Sequence, residues 1–442
     1  MRARAVALWR HLALPAVIFL LWACAALQIL TGARLFADAA GFCVALIAVA
    51  ALATSRGMGP RVLAILGGGG LALAWLADDW PAALAGLDRA AAFAAFLGCL
   101  YALRGIVQAS PALPTVQSAF VAFRPTARRG ALQLLGLLFS VPLAIGAISI
   151  IAPLVAKEED PAIREDIATW ALRGVGLAVL FSPFTVCMGI VVSSLGSALP
   201  MAWLLIVGFA TALLLAAIPH ALGQCRLPRS LPRAFWVALW RVLAPVVLLI
   251  VANMTLVFAG GLTPVRAAIL LVPLVGLAVT LRRDRAAQRQ TAETILAAWR
   301  RFDAEIAIFV GSLVFAGVVT TIPEVREPVA RLTELLGPGA LIGATVLGIA
   351  VMASVGVHMV VTATILLTVF APFMPDTPHL VLLGLAGLMG WAFGAMAAAG
   401  SLSFVAAVNI LGVRARRLAF GPNLRFMAAA MLALGLVGLL LP

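Results

Sequence analysis

Apolar runs of about twenty residues recur from one end of the chain to the other, and short loops rich in arginine separate them. This pattern leaves little choice of fold. A helix needs roughly 20 apolar residues to cross a bilayer. Spans are expected at about 12–30, 36–53, 62–77, 86–108, 168–196, 201–219, 235–258, 265–281, 304–322, 380–412 and 424–441. Hydrophobic residues make up 64% of the 442 and charged residues 11%, so no stretch is polar enough for a sizeable soluble domain. The net charge of +14 sits in the loops, where the positive-inside rule explains it better than nucleic acid does. The five cysteines (Cys24, Cys43, Cys99, Cys187 and Cys225) lack metal or CxxC spacing and read as free thiols. Met1–Arg10 and the apolar run after it read as a retained first span rather than a cleaved signal.

Two apolar segments, 131–156 and 340–372, are decided by charge. Arg2, Arg4 and Arg10 place the N-terminus in the cytoplasm; Arg56 and Arg61, and then Arg124, Arg128 and Arg129, follow on the same side. If 131–156 crossed the membrane, the loops carrying Arg226, Arg229 and Arg233, and Arg282 through Arg301, would lie outside. A hairpin that enters and leaves on the cytoplasmic side keeps them inside. By the same logic 340–372 is a hairpin opening outward, which keeps Arg414, Arg416 and Arg417 inside. The expected fold class is an all-α polytopic membrane protein with about eleven transmembrane helices and two re-entrant hairpins in an inverted repeat. Its expected parts are N-terminal spans (1–85), a first repeat unit (86–219), linking spans with a basic cytoplasmic segment (220–303) and a second repeat unit (304–442). The polar stretch 282–303 reads as a cytoplasmic linker or a surface-lying amphipathic helix.

Inverted repeats with helices broken near the midplane are an architecture of secondary transporters. The first hairpin carries Ser140 and Pro142, and the following span is interrupted at Ser182 and Pro183. The second carries Ser354, Gly356 and His358, and its following span holds Gly400, Ser401, Ser403 and Asn409. Proline removes a backbone donor, and glycine permits unwinding and close approach. Broken helices expose free N–H groups and a positive dipole end, which suits a small anion or polar solute. These eleven residues are the candidate substrate-binding set; packing alone is the competing reading of each one.

His358 reads either as a proton-coupling group or as a neutral histidine bonded to a helix end. Arg173 either snorkels to the interface or neutralises a bound anion. Asp303 and Glu305 begin the ninth span near the interface, and Asp376 and His379 belong to an outer loop. No span carries a carboxylate near its centre, which argues against cation exchange.

The motifs Ile151-Ala152-Pro153-Leu154-Val155, then Glu159-Asp160-Pro161, then Ser182-Pro183 have a second copy in Ala371-Pro372, Asp376-Thr377-Pro378 and Gly400-Ser401. On these the chain resembles the ion transporter superfamily over 86–219 and 304–441: arsenite-permease-like proteins, divalent anion symporters and the large membrane subunits of tripartite transporters. Ser140-Val141-Pro142 and Ser354-Val355-Gly356 stand where sodium–carboxylate symporters have Ser-Asn-Thr type tips. The resemblance implies an alternating-access carrier of the inner membrane. A coupling proton or sodium ion and a homodimer are compatible with it; no cofactor, metal or nucleic-acid partner is expected. Two alternatives stay open: a membrane subunit of a binding-protein-dependent uptake system, and a membrane-embedded glycan or lipid transferase. The sequence carries no HExxH, DxD or P-loop motif, so it is read as a carrier and not as an enzyme.

Overall fold

The computed structural model describes residues 6–55, 58–108, 110–116, 125–143, 147–148, 151, 158–196, 199–227 and 233–440. Arg2, Arg4, Arg56, Arg124, Arg229 and the Ala152–Val155 motif lie outside the described residues. Among the described residues nine helices are long and apolar enough to cross a membrane, or eleven if two bent pairs each count as one span. Large apolar side chains lie open on the outer faces of these helices, with Phe42 70%, Trp75 70% and Trp203 61% exposed. Faces of this kind need lipid as their solvent. The chain is an all-α, multi-pass membrane protein.

The chain divides into two compact units, residues 1–109 with 247–329 and residues 110–246 with 330–442. In the first, α1 (Val6–Thr31), α2 (Arg34–Thr54), α3 (Gly59–Leu76) and α4 (Trp80–Gln108) precede the crossover. The unit also takes the end of α9 (Arg233–Phe258), then α10 (Pro264–Leu281), α11 (Arg285–Trp299) and α12 (Asp303–Val319). Helices α4 and α12 form its antiparallel centre. Phe93 stacks on Phe309 with ring centroids 6.0 Å apart, and the Tyr101 hydroxyl donates to Glu305 at 2.7 Å. Gly86 and Gly317 let the two backbones touch: a Cβ on Gly86 would meet Val314 Cα at 2.7 Å, and one on Gly317 would meet Ala82 O at 2.6 Å. Small residues at helix crossings are the usual means of close packing in lipid.

The polar stretch after α10 folds as the amphipathic helix α11, capped by Asp284, which accepts from Ala287 N at 2.8 Å. It lies along α4, where the Trp299 indole donates to Gly98 O at 3.1 Å. At the start of α12 the Asp303 carboxylate is 1% exposed. It accepts from Ser55 Oγ at 2.7 Å and Thr54 Oγ1 at 3.0 Å, with Arg10 Nη2 at 3.8 Å. Arg10 in turn donates to Thr54 O and Ser55 Oγ. The ends of α1, α2 and α12 are therefore tied into one polar knot.

The second unit contains α5 (Pro125–Leu143), α6 (Pro161–Val179), α7 (Val186–Leu195), α8 (Met201–Ala221) and the beginning of α9. It then continues from the end of α13 (Pro323–Leu336) through α14 (Pro338–Ser354), α15 (Met359–Phe370), α16 (Thr377–Ala397), α17 (Leu402–Leu411), α18 (Ala415–Ala419) and α19 (Pro422–Leu440). A bend of 117° separates α13 from α14. The elements correspond in order and in length: 19 and 17 residues in α5 and α14, 19 and 21 in α6 and α16, 10 each in α7 and α17, and 21 and 19 in α8 and α19.

Helix α16 begins at Asp376, whose carboxylate accepts from His379 N at 2.9 Å and lies 2.7 Å from His379 Nδ1. The His379 backbone N–H, followed by its ring, holds the Asp376 carboxyl below the ordinary carboxylate range. A depressed pKa in the folded state stabilises at pH above the unfolded value of about 3.9, and the contribution disappears as pH falls through the lower folded value. Asp376→Ala is therefore expected to melt earlier than the parent at neutral pH, with the gap narrowing in acid. A gap that is constant or widens between pH 7 and pH 3 would contradict this origin.

Candidate functional site

In the second unit two helices, α5 and α14, each run alongside a later helix. Arg129 Nε, in the first turns of α5, donates to Asp166 Oδ2 at 2.9 Å in the first turns of α6. Gly136 faces Ala171 and Gly174 further along, and Val141 O accepts from Ser182 Oγ at 2.7 Å at the far end. Helices α5 and α6 thus run side by side in the same direction from a common end; most of the return arm expected of the first hairpin lies outside the described residues. The Arg226 N–H, bonded to Thr126 O at 3.1 Å, and Arg417, 3.4 Å from Glu165, gather at that same end.

The second expected hairpin comprises α14 and α15. Along α16, Gly387 meets Leu367, Gly390 meets Ile349, and Gly394 meets both Met359 and Ala353. Helix α14 therefore runs with α16, and α15 runs against it. Gly348, before the turn, faces Leu366 after it. Four residues, Val355–His358, make the turn, and Gly356 takes a φ of +94°, a conformation that glycine alone adopts at low cost.

Helix α5 meets the interruption between α6 and α7, and the α14–α15 hairpin meets that between α16 and α17. In the first break, Pro183 has no N–H to offer Val179 O, and α6 ends there. Ser182 Oγ donates to Val141 O and accepts from Phe184 N at 3.2 Å, while Thr185 caps α7 by accepting from Met188 N at 3.2 Å. In the second break no proline is involved. Gly400 N donates to Ala353 O at 2.9 Å, so the α14 hairpin and the broken helix share a backbone hydrogen bond. Ser401 then caps α17 through Phe404 N at 3.5 Å. The two broken helices pack against each other in opposite directions: Gly176 abuts Met396 and Ala392, and Cys187 Sγ lies 3.8 Å from Gly387 O.

The candidates sort into three groups. Ser182 and Pro183 are buried together at the first break, with Ser140 buried on α5 and its Oγ unpartnered. Pro142 belongs to α5, and its side chain lies outside the described residues. Gly356, His358, Gly400, Ser401 and Ser403 gather at the second break, all but Gly356 buried. His358 Nδ1 accepts from Val360 N at 3.3 Å, capping α15, and its ring stands edge-on to Trp391 with centroids 6.4 Å apart. Ser354 and Asn409 stand apart. Ser354 Oγ bonds Ala350 O of its own helix at 2.8 Å, and Asn409 is exposed on α17. Among the described residues no hydrogen bond joins the first group to the second.

The sequence reading passed over three hydroxyls. Thr185 holds the first break together by capping α7 and donating to Ser182 O at 3.2 Å. Thr364 and Thr368, one turn apart on α15, bury Oγ1 atoms that have no partner. Their signal is a Thr-x-x-x-Thr spacing within an otherwise apolar helix, which puts both on one face. Ser140 Oγ on α5 is likewise unpartnered, whereas the Ser182 hydroxyl donates to Val141 O and that of Ser401 accepts from Phe404 N. The sequence matches no family model and no curated protein.

Proposed function

We propose that this protein is a secondary carrier for a small anionic or polar solute, working by alternating access in the manner of the ion transporter superfamily. The observation that carries the reading is a helix bonded to the interruption of a later helix in two places, α5 at Val141–Ser182 and α14 at Ala353–Gly400. Helix α15, at 12 residues, is about 18 Å long, too short for a hydrocarbon core of about 30 Å. It suits the return arm of a hairpin that re-enters on the side from which it came. The matched element lengths and the opposed α6 and α16 support an inverted repeat.

Helix α7 begins at Thr185 and α17 at Ser401, so each break presents a helix N-terminus to the unit's interior. These ends, with Ser140, Thr364 and Thr368, supply donors for an anion or a polar solute. Both hairpins and both breaks belong to one compact unit, which can carry a bound solute as a single body. Gathering Arg129, Arg226 and Arg417 at one end supports a cytoplasmic location for that end in an inner membrane.

Purified protein in liposomes, challenged with small carboxylates, phosphate and sulfate on a solid-supported membrane, should give a saturable current or counterflow for at least one of them. Ser140→Ala and Thr364→Ala should weaken that flux, and Asn409→Ala should leave it at the parental level. Flux insensitive to both hydroxyl variants, or no saturable flux for any solute from folded protein, would refute the proposed site.

A further inference from the structure

A cavity of the second unit, about 810 Å³ in volume, lies between α8, α16 and α19. Its walls are apolar: Leu214 and Ile218 come from α8, Leu385 from α16 and Ala430 from α19. Leu214 is 65% exposed on the outer surface, so the cavity opens where the protein meets the hydrocarbon of the membrane. Two arginines line it as well, Arg173 and Arg425.

Arg173 is the unusual one. It is 2% exposed, yet among the described residues no carboxylate bonds it. Its Nε donates to Asn423 Oδ1 at 3.0 Å, and Asn423 Nδ2 donates to Thr169 O at 2.9 Å, which fixes the amide and so the guanidinium. Trp170 and Phe426 hold the guanidinium carbon at 4.3 and 4.4 Å from their ring centroids. Nη1 is buried without any partner. The nearby Asp166 is already engaged by Arg129. A buried guanidinium held by neutral groups, with an N–H pair unsatisfied, costs free energy unless an anion completes it. Its planar fork suits a phosphate or carboxylate.

We infer that this cavity binds an anionic membrane lipid, with the acidic headgroup on Arg173 and Arg425 and an acyl chain along the α8–α19 wall. The charge of the two arginines selects the headgroup, and the opening towards lipid supplies the chain. This site is separate from the hairpin breaks and does not depend on the carrier reading.

Native mass spectrometry of the detergent-purified protein tests it with three probes: phosphatidylglycerol, phosphatidylcholine and free glycerol phosphate. Phosphatidylglycerol should be retained at least about tenfold better than phosphatidylcholine, as befits hydrogen bonds to a charged group. Arg425→Gln, an exposed change that leaves the Arg173–Asn423 contact intact, should remove much of that preference. Leu214→Trp, which fills the apolar wall, should lower retention of both lipids. Equal retention of the two lipids by the parent, or an unchanged preference in Arg425→Gln, overturns the inference. Glycerol phosphate binding as well as phosphatidylglycerol overturns it too, because the site would then recognise a soluble anion.

Discussion

Gly400→Ala should unfold well before the parent protein, although it adds a single methyl group. A Cβ at this position would run into Val357 O and would stand 2.8 Å from Ala353 O and 3.2 Å from Ala353 Cα. All of these are backbone atoms of the hairpin, and Gly400 N is itself bonded to Ala353 O. No side chain can swing away to make room, so either the hydrogen bond breaks or the turn shifts. Overpacking of a well-filled site costs about 1–3 kcal/mol, and a clash with fixed backbone belongs at the upper end or beyond it. Gly343, in α14 of the same unit, is the control. Nothing lies within 4 Å of its Cβ position, and alanine is the better helix former by roughly 0.5–1 kcal/mol. Thermal unfolding in one detergent should therefore separate the two variants in opposite directions. A Gly400→Ala midpoint equal to that of Gly343→Ala would show that the contact between hairpin and broken helix does not form.

Asp303→Ala should strongly destabilise the first unit. The substitution deletes the acceptor of Ser55 Oγ and Thr54 Oγ1 and leaves Arg10 without its nearby charge. Hydrogen bonds to an ionised group contribute about 1.5–3 kcal/mol each. Thr54 keeps a second acceptor in Ala50 O, Ser55 still accepts from Arg10, and Arg10 is 38% exposed and therefore screened. A net loss of about 3 kcal/mol is expected. Asp303→Asn retains one carbonyl acceptor and should lose roughly half as much. Chemical unfolding of both variants checks the order. An Asp303→Ala protein as stable as the parent would mean that the knot joining α1, α2 and α12 contributes nothing.

Much of the helical frame was legible in the sequence because each span has to satisfy its own backbone bonds in lipid, and long apolar runs follow from that requirement. The two interruptions were legible for chemical reasons as well. Pro183 cannot donate to Val179 O, and Gly400-Ser401 places a close-approach residue next to a helix cap. What the sequence left hidden is the pairing. Ser182, Ser354 and Ser401 look alike as hydroxyls near a break, but Ser182 bonds helix α5, Ser354 its own helix and Ser401 its own cap. Arg173 meets Asn423, and Tyr101 meets Glu305, across separations that no local pattern encodes. Nor does hydropathy tell which spans share a compact unit: α4 and α12, which bracket the first hairpin and broken helix in sequence, are packed together in the other unit.

That interleaving bears on how the chain is made. The face of α4 around Gly86 leaves the ribosome long before its cover does, because α12 follows only after 110–246, the rest of α9, α10 and α11 have been synthesised. At ordinary elongation speeds this is a wait on the order of 10–40 s. Throughout it, a groove shaped for another backbone faces lipid or the insertion machinery. Early truncations that end before Asp303 should therefore be conspicuous substrates for membrane quality control.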